Sequence, residues 1–191
     1  YFVANIYQAQ WPKYESERNK WFKLSAKNGF PKAQSRLAEL YFFEFLVSKN
    51  PKFISETIKW HGKAAEQGDS NSQYELGKLY SRGKHVLQDF DEAKNLYLKA
   101  AMQGHKEAQF EIGNMYSLGN GVSRDLNKAR KWFLKSVENG SSSPQLQLGL
   151  MNYYGVGIPE NMEKAFYWFD LVKKWNARAQ IYLTQMYATG L

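Results

Sequence analysis

The sequence predicts an all-α protein, an α-solenoid of stacked antiparallel helix pairs. One observation is a recurring segment: SQYELGKLYSRGKHV begins at Ser72, and AQFEIGNMYSLGNGV begins at Ala108, 36 residues later. Another is a column of large apolar residues that recurs at nearly the same period, and a third is a glycine wherever a helix would have to end. Recurrence at a fixed period of about 20–50 residues is the signature of a repeat architecture.

The first helix of each repeat, helix A, begins near a small residue followed by glutamine. An aliphatic residue comes four positions after the small residue, a glycine or alanine usually follows it, and a tyrosine usually comes four positions after the aliphatic residue. Spacings of four place these residues on one face of an α-helix, and the glycine lets a neighbouring helix backbone approach closely. The columns are Ala33-Gln34, Ser72-Gln73, Ala108-Gln109, Pro144-Gln145 and Ala179-Gln180; Leu37, Leu76, Ile112, Leu148 and Leu183; Ala38, Gly77, Gly113, Gly149 and Thr184; and Tyr41, Tyr80, Tyr116, Asn152 and Tyr187.

The second helix, helix B, is predicted from a tryptophan column that recurs in phase with helix A. An alanine lies three residues before most of these positions, and we expect the alanine and tryptophan columns to form the inner face of helix B. A glycine lies eight residues after most of them and ends the helix, because glycine adopts the left-handed conformation without a Cβ penalty. The tryptophan column is Trp21, Trp60, Leu96, Trp132 and Trp168, and the glycines are Gly29, Gly68, Gly104 and Gly140.

One helix pair cannot cover its own apolar face, so neighbouring pairs must stack. We predict a single repeat domain over residues 1–191. The repeat that begins at Ala33 is three residues longer than its neighbours and has Glu44 where the loop glycine should be. We expect a lengthened helix A there, with a loop closed by Asn50-Pro51. The predicted divisions are a partial first repeat at 1–32, full repeats at 33–71, 72–107, 108–143 and 144–178, and a partial last repeat or capping helix at 179–191.

The combined pattern resembles the Sel-one-like repeat (SLR) family, which is related to the tetratricopeptide (TPR) repeats. The resemblance covers nearly the whole chain and rests on the A-Q-x-x-L/I-G-x-x-Y columns, on the G-x-G loops and on K-A-x-x-W-F. The loops lie at Gly119–Gly121 and Gly155–Gly157, and K-A-x-x-W-F lies at Lys128–Phe133 and Lys164–Phe169. The resemblance implies an SLR/TPR-like superhelix in which helix A lines the concave surface and helix B forms the convex back. It also implies a non-enzymatic adaptor that holds a protein partner in the concave groove.

The outward face of helix A then supplies the predicted partner-binding residues. Many of them are large and apolar, and sizeable exposed apolar patches usually mark interaction sites. Tyr74, Phe110 and Leu146 share one column, for which packing between adjacent A helices is the alternative. We expect Phe42, Tyr153 and Tyr154 to be exposed, because they lie near the open end of helix A. The full predicted set is Phe42, Phe43, Tyr74, Lys78, Arg82, Phe110, Asn114, Leu118, Leu146, Leu150, Tyr153 and Tyr154.

The sequence contains no recognisable catalytic or metal-binding motif. It has no cysteine, which excludes thiolate zinc sites, disulfides and a cysteine nucleophile. The three histidines, at 61, 85 and 105, do not have the spacing of metal ligands, and His61 occupies the column of Phe22 and Phe133, which predicts a core residue. Phosphate-binding glycine loops and a nucleophile elbow are likewise missing. We therefore predict a protein that is not an enzyme and that uses neither a cofactor nor a metal.

The net charge of +8 is compatible with an acidic protein, an anionic membrane or nucleic acid as a partner. Because the lysines are scattered over polar helix faces and form no dense block, a solvated outer surface is the preferred interpretation. The predicted partner is another protein, acidic proteins and toxins or effectors being the candidates. The resemblance also leaves open a bacterial immunity protein that neutralises a cognate secreted toxin, for example a phospholipase effector. Binding of single-stranded RNA through Arg82, Lys84, Arg124 and Arg130 is a weaker alternative; we expect no nucleic acid, since the predicted groove is more apolar than basic.

No apolar run in the sequence approaches the roughly 20 residues that a membrane-spanning helix needs, so we expect no membrane span. The chain does not begin with Met. This favours the bacterial periplasm over the cytoplasm as the expected compartment, with an upstream segment that was cleaved, trimmed or not included in the sequence.

Overall fold

The computed structural model describes the backbone of residues 15–190 and the side chains from residue 17 to residue 190, and this part of the chain is all-α, as predicted. Odd-numbered helices correspond to the predicted helices B, and even-numbered helices correspond to the predicted helices A. The described residues contain no strand. The ten helices are α1 (Glu15–Lys27), α2 (Pro31–Ser48), α3 (Pro51–Glu66), α4 (Ser70–Arg82), α5 (Phe90–Met102), α6 (Lys106–Leu118), α7 (Leu126–Glu138), α8 (Gln145–Tyr154), α9 (Met162–Val172) and α10 (Ala177–Ala188).

The part of the chain that the structure describes forms two compact units, which divide between residues 100 and 101, inside α5. Helices α1 to α4 belong to the first unit, and α6 to α10 belong to the second. In both units the apolar core is built from pairs of helices that follow each other in sequence.

The glycines in the middle of helix A are contacted by aromatic rings of the following helix B. A Cβ atom placed on Gly113 would lie 2.5 Å from the ring of Phe133, and one placed on Gly149 would lie 2.4 Å from the ring of Phe169. Real Cβ atoms essentially never come within 3.0 Å of another heavy atom. The predicted close approach at these glycines is therefore correct, although an aromatic ring, and not the helix backbone, makes the nearest contact.

The most buried column of helix B comes one residue after the tryptophan column. Its members are between 0% and 3% exposed, and they are Phe22, His61, Tyr97, Phe133 and Phe169. The alanine column is buried as predicted, with Ala129 and Ala165 both at 0%. The tryptophan column is not uniformly buried, because Trp60 is 8% exposed but Trp21 is 43% exposed. The inner face of helix B is therefore rotated by one residue from the predicted face.

The half-buried tryptophans lie at the edge of the core. The ring of Trp168 packs partly against the cluster around Phe133 and Leu148. The ammonium group of Lys135 lies 4.6 Å from the ring centroid of Trp132, a cation–π contact at the protein surface. An indole tolerates this position because one part of it is covered by the core and the rest faces water.

The glutamine of the small-Gln pair ties successive helices together. Gln34 Nε2 donates a hydrogen bond to the carbonyl oxygen of Ala26 at 3.2 Å, and Gln109 Nε2 donates to that of Ala101 at 3.0 Å. These oxygens lie at the end of the preceding helix B, where carbonyls lack a complete set of intrahelical partners. Gln109 Oε1 also accepts a bond from Asn139 Nδ2 at 3.0 Å. One buried side chain therefore links three successive helices.

The long second repeat has the predicted extended helix A. Helix α2 has 18 residues and ends at Ser48, and the capping residue Lys49 takes the left-handed conformation (φ 56°) usually reserved for glycine. Asn50 then caps α3, since its side-chain oxygen accepts a hydrogen bond from the Lys52 amide at 3.0 Å, and Pro51 is the first residue of that helix. The extra length of α2 brings residues near Leu46 to the edge of a groove.

Candidate functional site

A groove in the first unit, which we call the α2–α4 groove, is the main candidate site. Its volume is about 420 Å³, and residues from α2, α3, α4 and the loop after α4 line it. Openings of this size are typical of ligand-binding clefts. Two successive helices A, α2 and α4, supply its two sides, and α3 between them contributes Thr57 and His61.

Two of the three α2 residues that line the groove are apolar and exposed. Phe42 and Leu46 lie one helical turn apart, and they are 37% and 46% exposed. Leu79 of α4 is half-buried and faces the same groove. Exposed apolar side chains that border a concavity lose unfavourable contact with water when a partner covers them.

The buried lining is contributed by α3 and consists of Thr57 and His61. Both are almost fully buried, at 2% and 3% exposure. His61 Nδ1 lies 3.0 Å from the hydroxyl oxygen of Ser72, and this contact links α3 to α4. Burial lowers the pKa of His61 from 6.5 to about 4, although the carboxylates of Glu75 and Asp69 act in the opposite direction. At neutral pH the imidazole is therefore uncharged.

The groove is also lined by carboxylates that already have basic partners. A carboxylate oxygen of Glu75 lies 2.8 Å from Lys78 Nζ, and Glu39 pairs with Arg36 on α2. Lys78 also lies over the ring of Tyr74, 5.0 Å from its centroid. These pairs neutralise both acidic groups of the groove.

Two further cations, Arg82 and Lys84, lie at the exposed end of the groove. Arg82 is the last residue of α4, and Lys84 follows it after the left-handed Gly83. Within residues 17–190, neither side chain forms an ion pair with a carboxylate. The groove therefore carries a net positive charge at this end.

The loop that carries these cations is fixed by hydrogen bonds. The Asp89 amide donates to the carbonyl oxygen of Tyr80 at 3.0 Å, and Gln88 Nε2 donates to that of Ser81 at 2.9 Å. His85 has a left-handed backbone (φ 74°), and its ring lies edge-on to the buried ring of Phe45 at 4.8 Å. The loop thus holds His85 and its neighbours against the groove in a defined position.

The predicted residues of the first unit only partly meet at this groove. Phe42, Lys78 and Arg82 line it. Phe43 is 64% exposed but is not part of its lining. Tyr74 is half-buried, with its ring centroid 5.9 Å from that of Tyr97. Tyr74 therefore covers the aromatic core of its own helix pair, whereas the alternative in the sequence analysis was packing between adjacent A helices.

Most of the groove lining was not predicted from the sequence. His61 and Thr57 occupy core columns, and nothing in their spacing indicated that they would border an open space. Leu46 was outside the recurring positions because it lies in the extension of α2. One signal was available, since Leu46 follows Phe42 by four residues and must share its helix face.

In the second unit, the two predicted residues of α8 near Phe169 form part of an aromatic cluster. The Tyr153 ring is half-buried and lies 5.1 Å from the Tyr182 ring and 6.1 Å from the Phe169 ring. Tyr154 is 57% exposed, and its hydroxyl oxygen lies 3.0 Å from that of Tyr182. This hydrogen bond raises the pKa of Tyr154. The expected exposure is correct for Tyr154 and Phe42, but Tyr153 is half-buried because it packs on this cluster.

The other predicted residues of the second unit differ in their surroundings. Phe110 is half-buried against the ring of Phe133, with 5.7 Å between the centroids. Asn114 Nδ2 donates a hydrogen bond to the carboxylate of Glu111 at 3.2 Å, and Leu118 is 68% exposed. Leu146 and Leu150 are half-buried against the core of α9 and α10.

Between residues 15 and 190, no helix is both long enough and apolar enough to cross a membrane. The same residues contain no group of three or more His, Asp or Glu side chains placed to hold a metal ion.

Paired helices that repeat at a near-constant period, with a groove between successive helices A, define a helical-repeat protein. The chain belongs to the Sel1 repeat family, whose model matches residues 31–69, 70–105, 106–141 and 145–171. Sel1 repeat proteins typically mediate protein–protein interactions and are generally non-enzymatic scaffolds.

Two solved structures are similar to this chain over most of its length. A Sel1 repeat protein from Oxalobacter formigenes shares 35% identity, with 97% of this chain and 76% of that chain covered and a TM-score of 0.81. The protein c5321 of uropathogenic Escherichia coli, a protective antigen with an SLR fold, shares 33% identity, with 91% of this chain and 37% of that chain covered and a TM-score of 0.83. These similarities confirm the solenoid fold class.

A third structure, the immunity protein Pa5087 from Pseudomonas aeruginosa, is 18% identical, with 83% of this chain and 73% of that chain covered and a TM-score of 0.49. Similarity at this level says nothing about what the present chain binds, so the immunity hypothesis stays a prediction. A comparison with curated protein sequences finds no match.

Proposed function

We propose that this protein is a non-enzymatic scaffold that binds another protein through the α2–α4 groove. The observation that carries the proposal is the pairing of two exposed apolar side chains, Phe42 and Leu46, with an open cavity of about 420 Å³. Large apolar and aromatic side chains at the centre of a concave surface are the usual anchors of protein interfaces.

The composition of the groove favours a protein partner over RNA. Single-stranded nucleic acid is bound by several exposed rings that stack on successive bases within a basic channel. Phe42 is the sole phenylalanine, tyrosine or tryptophan among the lining residues of this groove, and Tyr74 beside it packs against Tyr97.

The test is site-specific cross-linking in the native cell. A photo-reactive amino acid at position 43, where Phe43 is 64% exposed next to the groove, should capture the partner, and mass spectrometry identifies it. In a second chain with the same cross-linker, the double change Phe42→Ser and Leu46→Ser should abolish the cross-link. The matched control is Trp175→Ser, which removes an apolar side chain of 68% exposure from the second unit.

The control variant should keep the cross-link. A folded Phe42→Ser, Leu46→Ser protein that captures the same partner in the same amount would refute the groove as the binding site. Circular dichroism melts of all variants establish that they are folded. The identity of the captured protein also decides whether the partner is a toxin.

A further inference from the structure

We propose that the α2–α4 groove recognises an acidic, apolar segment within the chain of its partner. A large apolar side chain of that segment packs against Phe42 and Leu46, and a neighbouring aspartate or glutamate side chain pairs with Arg82 and Lys84. This inference rests on the proposed function, because it takes the groove to be the binding surface and specifies the chemistry that it selects.

The apolar half of the recognition follows from the exposure of the α2 side. Phe42 and Leu46 lie on the same helix face and lose contact with water only if something covers them. The groove volume of about 420 Å³ is enough to receive a large side chain together with its flanking backbone. His61 beneath it is almost fully buried, and its Nδ1 atom already has a partner in the Ser72 hydroxyl at 3.0 Å, so this part of the floor offers no unpaired Nδ1 to a partner.

The acidic half follows from the charge balance of the groove. The carboxylates of Glu39 and Glu75 are each occupied by a basic group one helical turn away on the same helix. Arg82 and Lys84 have no such partner within residues 17–190. An anionic side chain on the partner would therefore meet two cations. Both carboxylates of the groove already have a basic partner.

The end of α4 leaves these cations available for a partner. The carbonyl oxygens of its last turn already accept bonds from their own chain: Leu79 O from the Gly83 amide at 3.1 Å, and Tyr80 O from the Asp89 amide at 3.0 Å. Arg82 and Lys84 are therefore not needed to cap the helix.

The source of the carboxylate is a side chain and not a chain terminus. Chain-terminal carboxylates are captured by clusters of backbone N–H groups. Here the positive charge belongs to the long, exposed side chains of Arg82 and Lys84 at the open end of the groove. Such groups reach a carboxylate on a segment that continues past the groove in both directions.

The experiment begins with a display library of random 12-residue peptides, selected on the purified full chain. Enriched peptides should contain a large apolar residue within a few positions of Asp or Glu. The affinity of the best peptide, synthesised with an amidated C-terminus, is then measured by fluorescence anisotropy. The change Phe42→Ala should weaken binding about 30-fold, as for a central interface anchor.

The charge variant Arg82→Gln, Lys84→Gln should weaken binding about five- to tenfold, because each exposed ion pair contributes modestly. The control Lys131→Gln, Lys164→Gln removes the same charge from exposed positions of the second unit and should change binding by less than about twofold. Restoring a free C-terminal carboxylate to the peptide should have no effect.

Several results would overturn the inference. They are the absence of enriched peptides, enrichment of peptides without acidic residues, equal binding by the Arg82→Gln, Lys84→Gln variant, or binding that requires a free C-terminus. The two proposals fail separately. The cross-link to the partner could be lost in the Phe42→Ser, Leu46→Ser variant but unchanged in the charge variant. That result would support the groove as the binding site and refute its specificity for an acidic segment.

Discussion

Protonation of His61 should weaken the first unit in mildly acidic solution. The imidazole is 3% exposed, lies 3.0 Å from the Ser72 hydroxyl, and has a pKa lowered by burial from 6.5 to about 4. In the unfolded chain the same group titrates near its ordinary value of 6.5. Between pH 4 and pH 6.5 the unfolded state therefore binds more protons than the folded state, and stability must fall as the pH falls through this window.

The size of the effect follows from the difference between the two pKa values. It amounts to about 2.5 pH units, and each unit corresponds to about 1.36 kcal/mol, so the full loss is about 3 kcal/mol. The contribution of neutral His61 to the free energy of unfolding is complete above pH 6.5 and has largely disappeared near pH 4. At pH 4.5 we expect the loss from His61 to be about 2.5 kcal/mol.

Amide hydrogen exchange at pH 7 and at pH 4.5 measures this loss locally, which matters because the repeats of a solenoid can open separately. The comparison protein is His61→Gln, which keeps a polar group near Ser72 but does not titrate. On acidification, the free energy of opening of helix α3 should fall by about 2.5 kcal/mol more in the wild-type protein than in this variant. Replacement of the exposed His85 by Gln serves as the matched control and should leave the wild-type behaviour of α3 unchanged. Equal acid sensitivity of wild type and His61→Gln, within about 0.5 kcal/mol, would refute the reasoning.

The remaining predictions concern the packing and capping of the helices. The change Gly113→Ala puts a Cβ atom 2.5 Å from the Phe133 ring and should lower the free energy of unfolding by about 1–3 kcal/mol. At Gly62, where an added Cβ atom meets nothing within 4 Å, the same change should raise it by about 0.5–1 kcal/mol. Gln109→Leu removes buried hydrogen bonds to two other helices and should cost about 1–3 kcal/mol. Asn50→Ala removes the cap of α3 and should cost about 1 kcal/mol. Urea unfolding curves measure each change, and an effect of opposite sign at either glycine would contradict the packing described.

The sequence was sufficient to predict the helix pairs, because the residues that determine them lie in the same helix or in the next one. Gly68 and Gly140 end helices in the left-handed conformation as predicted, since that depends on the backbone alone. The close approach at Gly113 could be predicted because the contacting ring belongs to the following helix. The rotation of helix B could not be predicted, because alanine, tryptophan and the next residue all lie close to one face, and only packing decides which of them is deepest.

The groove was harder to predict because it is an opening between packed helices, and the sequence pattern does not show where packing leaves an opening. His61 and Thr57 appear in the sequence as ordinary members of core columns, and only the structure shows that they border an opening. Phe42 and Arg82 were predicted from the face of helix A, but Leu46 reaches the groove through the extension of α2. The role of Gln109 was also missed, since its two partners are known only once the helices are placed.

The most direct test of a protein-binding groove is the affinity of the captured partner for the wild-type chain and for the Phe42→Ser, Leu46→Ser variant, measured by isothermal titration calorimetry. Loss of two apolar anchors should weaken binding about 30-fold or more, while Trp175→Ser leaves the affinity unchanged. An unaltered dissociation constant for a variant with a native circular dichroism melt would contradict the account.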